Sequence, residues 1–344
     1  MNGVKMRKKE WQIRHARKAL MRLTKLNQHQ YGSKRQVHKY SRNVKSMHGR
    51  HTVKAPENCS VSENTEETLA FFNVVIETIQ KSTVHDKIYF DLSDTKHLTI
   101  DAVMYIIALI TNMRRIRGCR IECSGNVPKC EDARLTLEKS GFYKFVSSNT
   151  KGNVREDTKT VQITSGTRAD GVLVGNLCDF VQNTSMATRC STKRLYPMIL
   201  ELMTNTNQHA YKGENGLMIE NWYVFAEKCA EGLRFIFLDT GVGIPKTIRK
   251  KVTEKLSTVI QNNDAVLIAS ALRGDELRSE TRKSYRGKGL PQIYDDCKMG
   301  TIKKMLIVSG RGICRLLQDG TIEEYTSSVA FQGTLFSWEF MCTI

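Results

Sequence analysis

The feature that most constrains this 344-residue chain is an apolar segment that runs directly into a glycine-rich turn. Gly232 to Leu238, GLRFIFL, predicts a buried strand, because aromatic and aliphatic residues fill a short run. The chain then continues as DTGVGIP, residues 239 to 245. Gly241 and Gly243 let the backbone turn sharply and approach a flat ligand closely. We therefore expect Asp239 to accept a hydrogen bond from an exocyclic amine, with Thr240 as support.

A second polar group lies upstream, on a predicted helix. This helix is indicated by apolar residues at helical spacing, namely Leu195, Met198, Ile199, Leu202 and Met203. Glu201 and Asn205 lie one turn apart on one face of it. The carboxylate of Glu201 suits a general base, and the amide oxygen of Asn205 suits Mg²⁺. Taken alone, such a pair is usually solvated, so its interpretation depends on the other motifs.

Two further glycine motifs follow. Arg286-Gly-Lys-Gly-Leu290 precedes an apparent helix, Pro291 to Cys297, and glycines that open a helix beside basic residues suit a phosphate chain. Gly333 and Thr334 open a predicted strand that continues to Phe340. Between the glycine motifs, residues 246 to 285 predict a helix plus a mobile lid. Its apolar patch, Leu267 to Leu272, suits a packing ridge, and its Arg282 and Lys283 either reach phosphates or stay solvated.

The order and spacing of these motifs resemble the GHKL ATP-binding family, which includes gyrase, Hsp90, histidine kinases and mismatch-repair proteins. The resemblance covers residues 160 to 344 and is nearest to the anti-sigma-factor kinases and histidine kinases, which also match His209-Ala210. It implies that Glu201 is the catalytic base, that Asn205 binds Mg²⁺ and that Asp239 holds the adenine amine. The ATP-binding residues implied by the resemblance are Asn205, Asp239, Gly241, Gly243, Ile244, Arg286, Gly287, Lys288, Gly289, Leu290 and Thr334. His209 is interpreted as structural.

The segment YFDLSDTKHLTIDAVMYIIAL, Tyr89 to Leu109, resembles the STAS domain of anti-sigma-factor antagonists, together with the later stretch from Gly125 to Val146. In that family a phosphoacceptor serine follows the aspartate that opens the helix. Here Asp101 is followed by Ala102, so the phosphorylation switch is not implied. The resemblance leaves two interpretations, a protein-docking module or a structural cap on the next domain.

Charge is concentrated at the N-terminus. The formal net charge is +18, and residues 1 to 55 hold sixteen basic residues against Glu10, which gives +15 there and +3 for the remainder. Residues 7 to 27 predict a helix, and the polar remainder of this arm cannot fold alone. The basic residues that we assign to RNA or DNA binding are Arg7, Lys8, Lys9, Arg14, Arg17 and Lys18. A solubilising tail, an arm for an acidic protein and a membrane-surface helix are the alternatives.

These observations predict an α/β (α+β) protein with a basic arm, partly helical or disordered, over residues 1–55. A small STAS-like α/β domain is expected over 56–150 and a GHKL (Bergerat) α/β sandwich with a mixed sheet over 151–344. No apolar run is long enough to span a membrane and no signal peptide is evident, so a cytoplasmic location is expected. The cysteines, including Cys119, Cys123 and Cys130, are expected to be reduced and structural.

The expected ligands are ATP and Mg²⁺, without a Walker-type phosphate loop. In gyrase-like relatives a lysine from a following domain completes the site, and no such domain is expected here because the chain ends at Ile344, so we expect hydrolysis to be slow or to need a partner. The first hypothesis is a slow ATPase that acts as a nucleotide-driven switch on a protein or nucleic-acid partner. The alternatives are an anti-sigma-like serine/threonine kinase and a basic nucleic-acid-binding protein whose nucleotide fold does not hydrolyse. A homodimer is expected only by analogy, as is a role in bacterial regulation or phage defence.

Overall fold

The structure is a computed structural model, and it describes residues 44–47, 49–83, 85–116, 122–146, 158–184, 192–208, 221–230, 232–251, 263–274 and 289–341. Residues 1–43, which carry most of the predicted basic arm, lie outside the described residues. No described helix has the length and apolarity that a membrane span needs. The described part mixes helices with several sheets, which confirms the α/β class.

The first half builds a four-stranded sheet in the order β1-β2-β4-β6, in which β1 and β2 are antiparallel and the other pairs are parallel. A short parallel pair, β3 with β5, lies beside it. Its elements are β1 (Val44–Met47), β2 (Arg50–Lys54), β3 (Asn58–Cys59), α1 (Thr65–Lys81), β4 (Lys87–Asp91), β5 (His97–Leu98), α2 (Ile100–Ile116), β6 (Glu122–Gly125), α3 (Glu131–Ser140) and α4 (Tyr143–Val146).

Strands β1 and β2 correct one expectation from the sequence. The sequence predicts a helical or disordered arm that includes residues 44–54, but these residues form a hairpin whose second strand pairs with β4. Val53 explains the difference, because its side chain is fully buried in the core that α1 and α2 also line. One well-placed apolar residue and a neighbouring strand outweigh the polar composition of this stretch.

The second half builds a five-stranded sheet in the order β10-β11-β9-β8-β7. Every pairing in it is antiparallel, so the mixed sheet expected for this region is wrong. Its elements are β7 (Thr160–Gly166), α5 (Gly171–Thr184), α6 (Leu195–Gln208), β8 (Trp222–Lys228), β9 (Leu233–Asp239), α7 (Ile244–Lys251), α8 (Asp264–Arg273), α9 (Gly289–Lys298), β10 (Ile302–Leu316) and β11 (Ile322–Phe340).

Both faces of this sheet are covered. In β9, Phe235 and Phe237 pack in one apolar cluster with α5, α6, α8 and α9. The alternate residues Ile236 and Leu238 pack in the other cluster, with α1 and α2. Since successive side chains of a strand point to opposite faces, the sheet lies between two helical layers. The predicted ridge on α8 is confirmed as part of the first of these layers.

Helix α2 lies between the two sheets, which explains its composition. Every residue from Ile100 to Ile110 is buried, although an ordinary surface helix is apolar on one stripe only. Helix α2 shares one apolar cluster with Ile88 and Phe90 of the first sheet, and its Tyr105 contacts Phe331 of β11. Residues 43–344 accordingly form one compact unit, in which the predicted STAS-like and GHKL-like regions share a core.

Asp101, the aspartate of the STAS-like motif, has a structural role here. It is 2% exposed, and its carboxylate accepts hydrogen bonds from the backbone N–H groups of Val61 (3.2 Å) and Ser62 (3.2 Å). It also accepts from the hydroxyl of Thr99. The next residue, Ala102, is completely buried, so the position of the family's phosphoacceptor is inaccessible as well as lacking a hydroxyl.

We expect Asp101→Ala to lower the free energy of unfolding by about 2–4 kcal/mol, because buried backbone donors lose their acceptor. Urea denaturation followed by circular dichroism measures the change. Asp132→Ala is the control, since Asp132 is an exposed acidic residue in the first turn of α3. Its effect should stay within about 0.5 kcal/mol. Equal stability of the two variants would contradict the structural role of Asp101.

Candidate functional site

A row of side chains crosses four strands of the five-stranded sheet, at the level where β9 ends and β8 begins. Asp239, the last residue of β9, is paired with Thr334 on β11 and with Trp222 on β8, while Thr334 is paired with Ser309 on β10. Side chains directly opposite each other in antiparallel strands lie on the same face. Trp222 belongs to the cluster that α6 and α9 line, so Asp239 and Thr334 lie on the face that those helices cover.

The first glycine motif surrounds Asp239 closely. The N–H of Gly241 donates to Oδ1 of Asp239 at 2.8 Å, and Asp239 itself is half-buried. Gly333 has φ of +107°, and a Cβ there would lie 2.1 Å from the carbonyl oxygen of Asp239. Only glycine fits this position, because any side chain would overlap the neighbouring strand. The glycine loop therefore contacts the carboxylate of Asp239, and Gly333, which lies within β11 and does not open it as predicted, packs against the backbone of Asp239.

Ser309 connects the glycine loop to Thr334, and the sequence analysis missed it. Its fully buried hydroxyl accepts from the N–H of Ile244 at 3.0 Å and donates to the carbonyl of Gly333 at 2.9 Å. It also lies 3.0 Å from the hydroxyl of Thr334. The available signal was a single hydroxyl residue after the apolar run Met305 to Val308. That run alone does not show which strand lies opposite, so it does not single out Ser309.

Glu201 and Asn205 lie on α6 as predicted, one turn apart and both half-buried. Leu202 and Met203 are buried in the core below. The two polar residues thus lie along the edge of the buried stripe of the helix, where a side chain is partly desolvated and can still reach a ligand. Buried Thr206 beside them donates back to the carbonyl of Leu202 at 3.2 Å.

The second glycine motif meets Glu201 directly. Gly289 is the first residue of α9, and a Cβ there would lie 2.4 Å from Cγ of Glu201. The next residue, Leu290, packs partly buried against the core cluster of this face. The structure therefore brings the carboxylate-bearing helix against the N-terminus of a ten-residue helix. Arg286, Gly287 and Lys288 of the motif lie outside the described residues, as do Arg282 and Lys283 of the lid.

An ion pair holds these two helices together. Arg194, just before α6, pairs with Asp296 of α9, whose side chain is 1% exposed while that of Arg194 is 47% exposed. Burial raises the pKa of the Asp296 carboxyl, and the guanidinium of Arg194 offsets this only in part. The pair joins the start of α6 to α9, and the desolvation of Asp296 offsets part of its attraction to Arg194.

The predicted site residues thus fall into two groups on one face of the sheet. Asp239, Gly241, Gly243, Ile244 and Thr334 form the first around Ser309, and Glu201 and Gly289 form the second. Within the described part of the chain, no cluster of three or more His, Cys, Asp or Glu side chains could hold a metal ion. Cys119, His209 and the arm residues from Arg7 to Lys18 lie outside it. Comparisons with protein-family models, curated proteins and solved structures find no match to this chain.

We expect Gly289→Ala to lower the free energy of unfolding by about 1–3 kcal/mol, because the added methyl group overlaps Glu201 and forces it or α9 to move. Gly175→Ala is the matched control, since Gly175 lies within α5 and a Cβ there meets nothing within 4 Å. The control should gain up to about 1 kcal/mol from helix propensity alone. Urea denaturation measures both variants. An equal gain in both would refute the close contact between Gly289 and Glu201.

Proposed function

We propose that this chain is a GHKL-type ATP-binding protein, a slow Mg²⁺-dependent ATPase that acts as a nucleotide-driven switch on a protein or nucleic-acid partner. One observation carries the proposal. Asp239 with its glycine loop lies on the same face of the sheet as α6, whose Glu201 touches the N-terminus of α9. A nucleoside triphosphate requires an acceptor for its base at one end and anion-binding groups for its phosphates at the other. Asp239 offers the first, and the N-terminus of α9 beside Glu201 offers the second.

Asp239 is assigned to the base. An ionised carboxylate only accepts hydrogen bonds, and the exocyclic amine of adenine donates them. The network around Ser309 fixes Thr334 and the glycine loop beside Asp239, which makes this end of the site rigid. Guanine carries a carbonyl oxygen where adenine has its amine. A carbonyl facing Asp239 would leave two acceptors opposed, so the site should discriminate against GTP.

The phosphate end is assigned to α6 and α9. The N-terminus of α9 at Gly289 offers backbone N–H groups and a favourable dipole to an anion. Asn205 fits Mg²⁺, which keeps several waters and phosphate oxygens as ligands and needs only one or two oxygens from the protein. When bound, Mg²⁺ would neutralise phosphate charge. Glu201, one turn before Asn205, would orient the attacking water and accept its proton.

We expect Asp239→Asn to weaken ATP binding by about 1–3 kcal/mol, because an amide donor can replace the acceptor that faces the adenine amine. Isothermal titration with ATP and GTP measures the affinities, and the unmodified chain should bind GTP much more weakly than ATP. Asp295→Asn is the control, since Asp295 is an exposed residue on α9. Unchanged ATP affinity in Asp239→Asn, or equal affinities for ATP and GTP, would refute the base assignment.

We expect Glu201→Gln to bind ATP and to release phosphate at least about 100-fold more slowly, because the amide cannot accept a proton from water. ATP labelled at the γ-phosphate separates the alternatives, since the label can appear as free phosphate, on protein or nowhere. Label on protein would favour the kinase, and retained ATP with no release would favour a non-hydrolysing fold. The control is Glu77→Gln, an exposed residue on α1. Unchanged release by Glu201→Gln would remove Glu201 from the chemistry.

A further inference from the structure

Strand β11 is strongly irregular next to the proposed base-binding end. Gly312 is paired with Thr326, Gly310 with Phe331 and Ser309 with Thr334. From Ser309 to Gly312 strand β10 advances three residues, whereas the matching stretch of β11, from Thr326 to Thr334, advances eight. Strand β11 therefore carries five extra residues between these pairs. Bulges of this kind bend a strand and redirect its side chains, and they are frequent beside functional sites. The bulged segment of residues 327–333 is defined here as the β11 bulge.

Helices α1 and α2 hold the β11 bulge from the face opposite Asp239. Asn73 of α1 donates from Nδ2 to the carbonyl of Ala330 at 2.9 Å. Tyr105 of α2 donates its hydroxyl to the carbonyl of Gln332 at 3.2 Å, and its ring lies 4.5 Å from that of Phe331 between centroids. The bulge thus obtains from the N-terminal helices some of the hydrogen bonds that β10 does not supply.

The same bulge ends at the proposed base-binding end. Gly333 follows Gln332 directly, and its carbonyl accepts from Ser309, whose hydroxyl also contacts Thr334 and the N–H of Ile244. Gly333 has φ of +107° and touches the backbone of Asp239. The carbonyl that Tyr105 holds therefore belongs to the same peptide unit as the N–H of Gly333, which packs against the backbone of Asp239. A shift of Gln332 must be transmitted to Gly333, because packing there leaves no free space.

We propose that Tyr105 and Asn73 are positioning residues for the base-binding end of the nucleotide site, acting through the β11 bulge. This inference rests on the proposed function, because it assigns these residues to the same ATP site. It gives the STAS-like region a role within the chain, in which its helices hold the adenine end in its binding geometry. Coupling of this kind is reciprocal, so a bound base also stabilises the packing of α2 on β11.

The test uses the full chain with Tyr105→Phe, which keeps the buried ring and removes only the hydroxyl, and with Asn73→Ala as a second variant. Titration calorimetry gives the affinities for ATP and ADP, and thermal unfolding without nucleotide gives Tm. ATP and ADP share the base, so both affinities should fall by the same factor, about three- to tenfold for one lost hydrogen bond. Tyr143→Phe is the control, since Tyr143 on α4 packs partly buried against the same core cluster. It should bind both nucleotides like the unmodified chain.

The other possible results contradict either the positioning role or the proposed function. A lower Tm with unchanged affinities for both nucleotides would make Tyr105 and Asn73 merely structural and overturn the inference, while leaving the proposed function intact. A larger loss for ATP than for ADP would place the effect at the phosphate end and also overturn it. Failure of the unmodified chain to bind ATP would overturn the proposed function, and the positioning role with it.

Discussion

The burial of strand β9 on both faces is the constraint on which the rest of the structure depends. Its four central residues, Phe235 to Leu238, are between 0 and 4% exposed and alternate between two apolar clusters. Burial of each such side chain contributes about 1.5–3 kcal/mol, and each helical layer buries only its own pair, so the full gain requires both layers. The second sheet can therefore reach its full stability only with the N-terminal helices against it. Asp239 is the first polar side chain after this run, and it is the last residue of β9.

The local motifs of the site could be predicted because each is a short-range consequence of residue type. Strand β9, helix α6 and the start of α9 were recognised from apolar spacing and from glycines next to charged residues. The contact of Gly289 with Glu201 was not predictable from the residues alone, since it depends on how two helices pack. Ser309 was missed for a related reason. Its importance comes from being opposite Thr334 in a hairpin register, and a single sequence does not specify register across a bulged pair.

Two errors about the fold have the same origin. The polar composition of residues 44–54 favoured a disordered arm, but Val53 and the pairing with β4 make this stretch a hairpin of the first sheet. The family resemblance favoured a mixed second sheet, whereas every pairing between its five strands is antiparallel. In both cases a partner strand that is distant in sequence decides the outcome. Helix α2 shows the same dependence on distant partners, since every residue from Ile100 to Ile110 is buried in the structure.

The two ends of the candidate site differ in how they are built, and the difference bears on a switch. Around Asp239 the geometry is fixed by sheet register, by Gly333 and by a buried hydroxyl network, all of which resist small displacements. Glu201 and Gly289 instead meet through two helices that one ion pair links, and its arginine is half exposed. Burial raises the pKa of the Asp296 carboxyl, so desolvation of this carboxylate opposes its attraction to Arg194. The first end is therefore the more rigid of the two, and the contact between α6 and α9 is the one that can change more easily. Under the function proposed above, α9 is therefore the element whose position nucleotide binding would change.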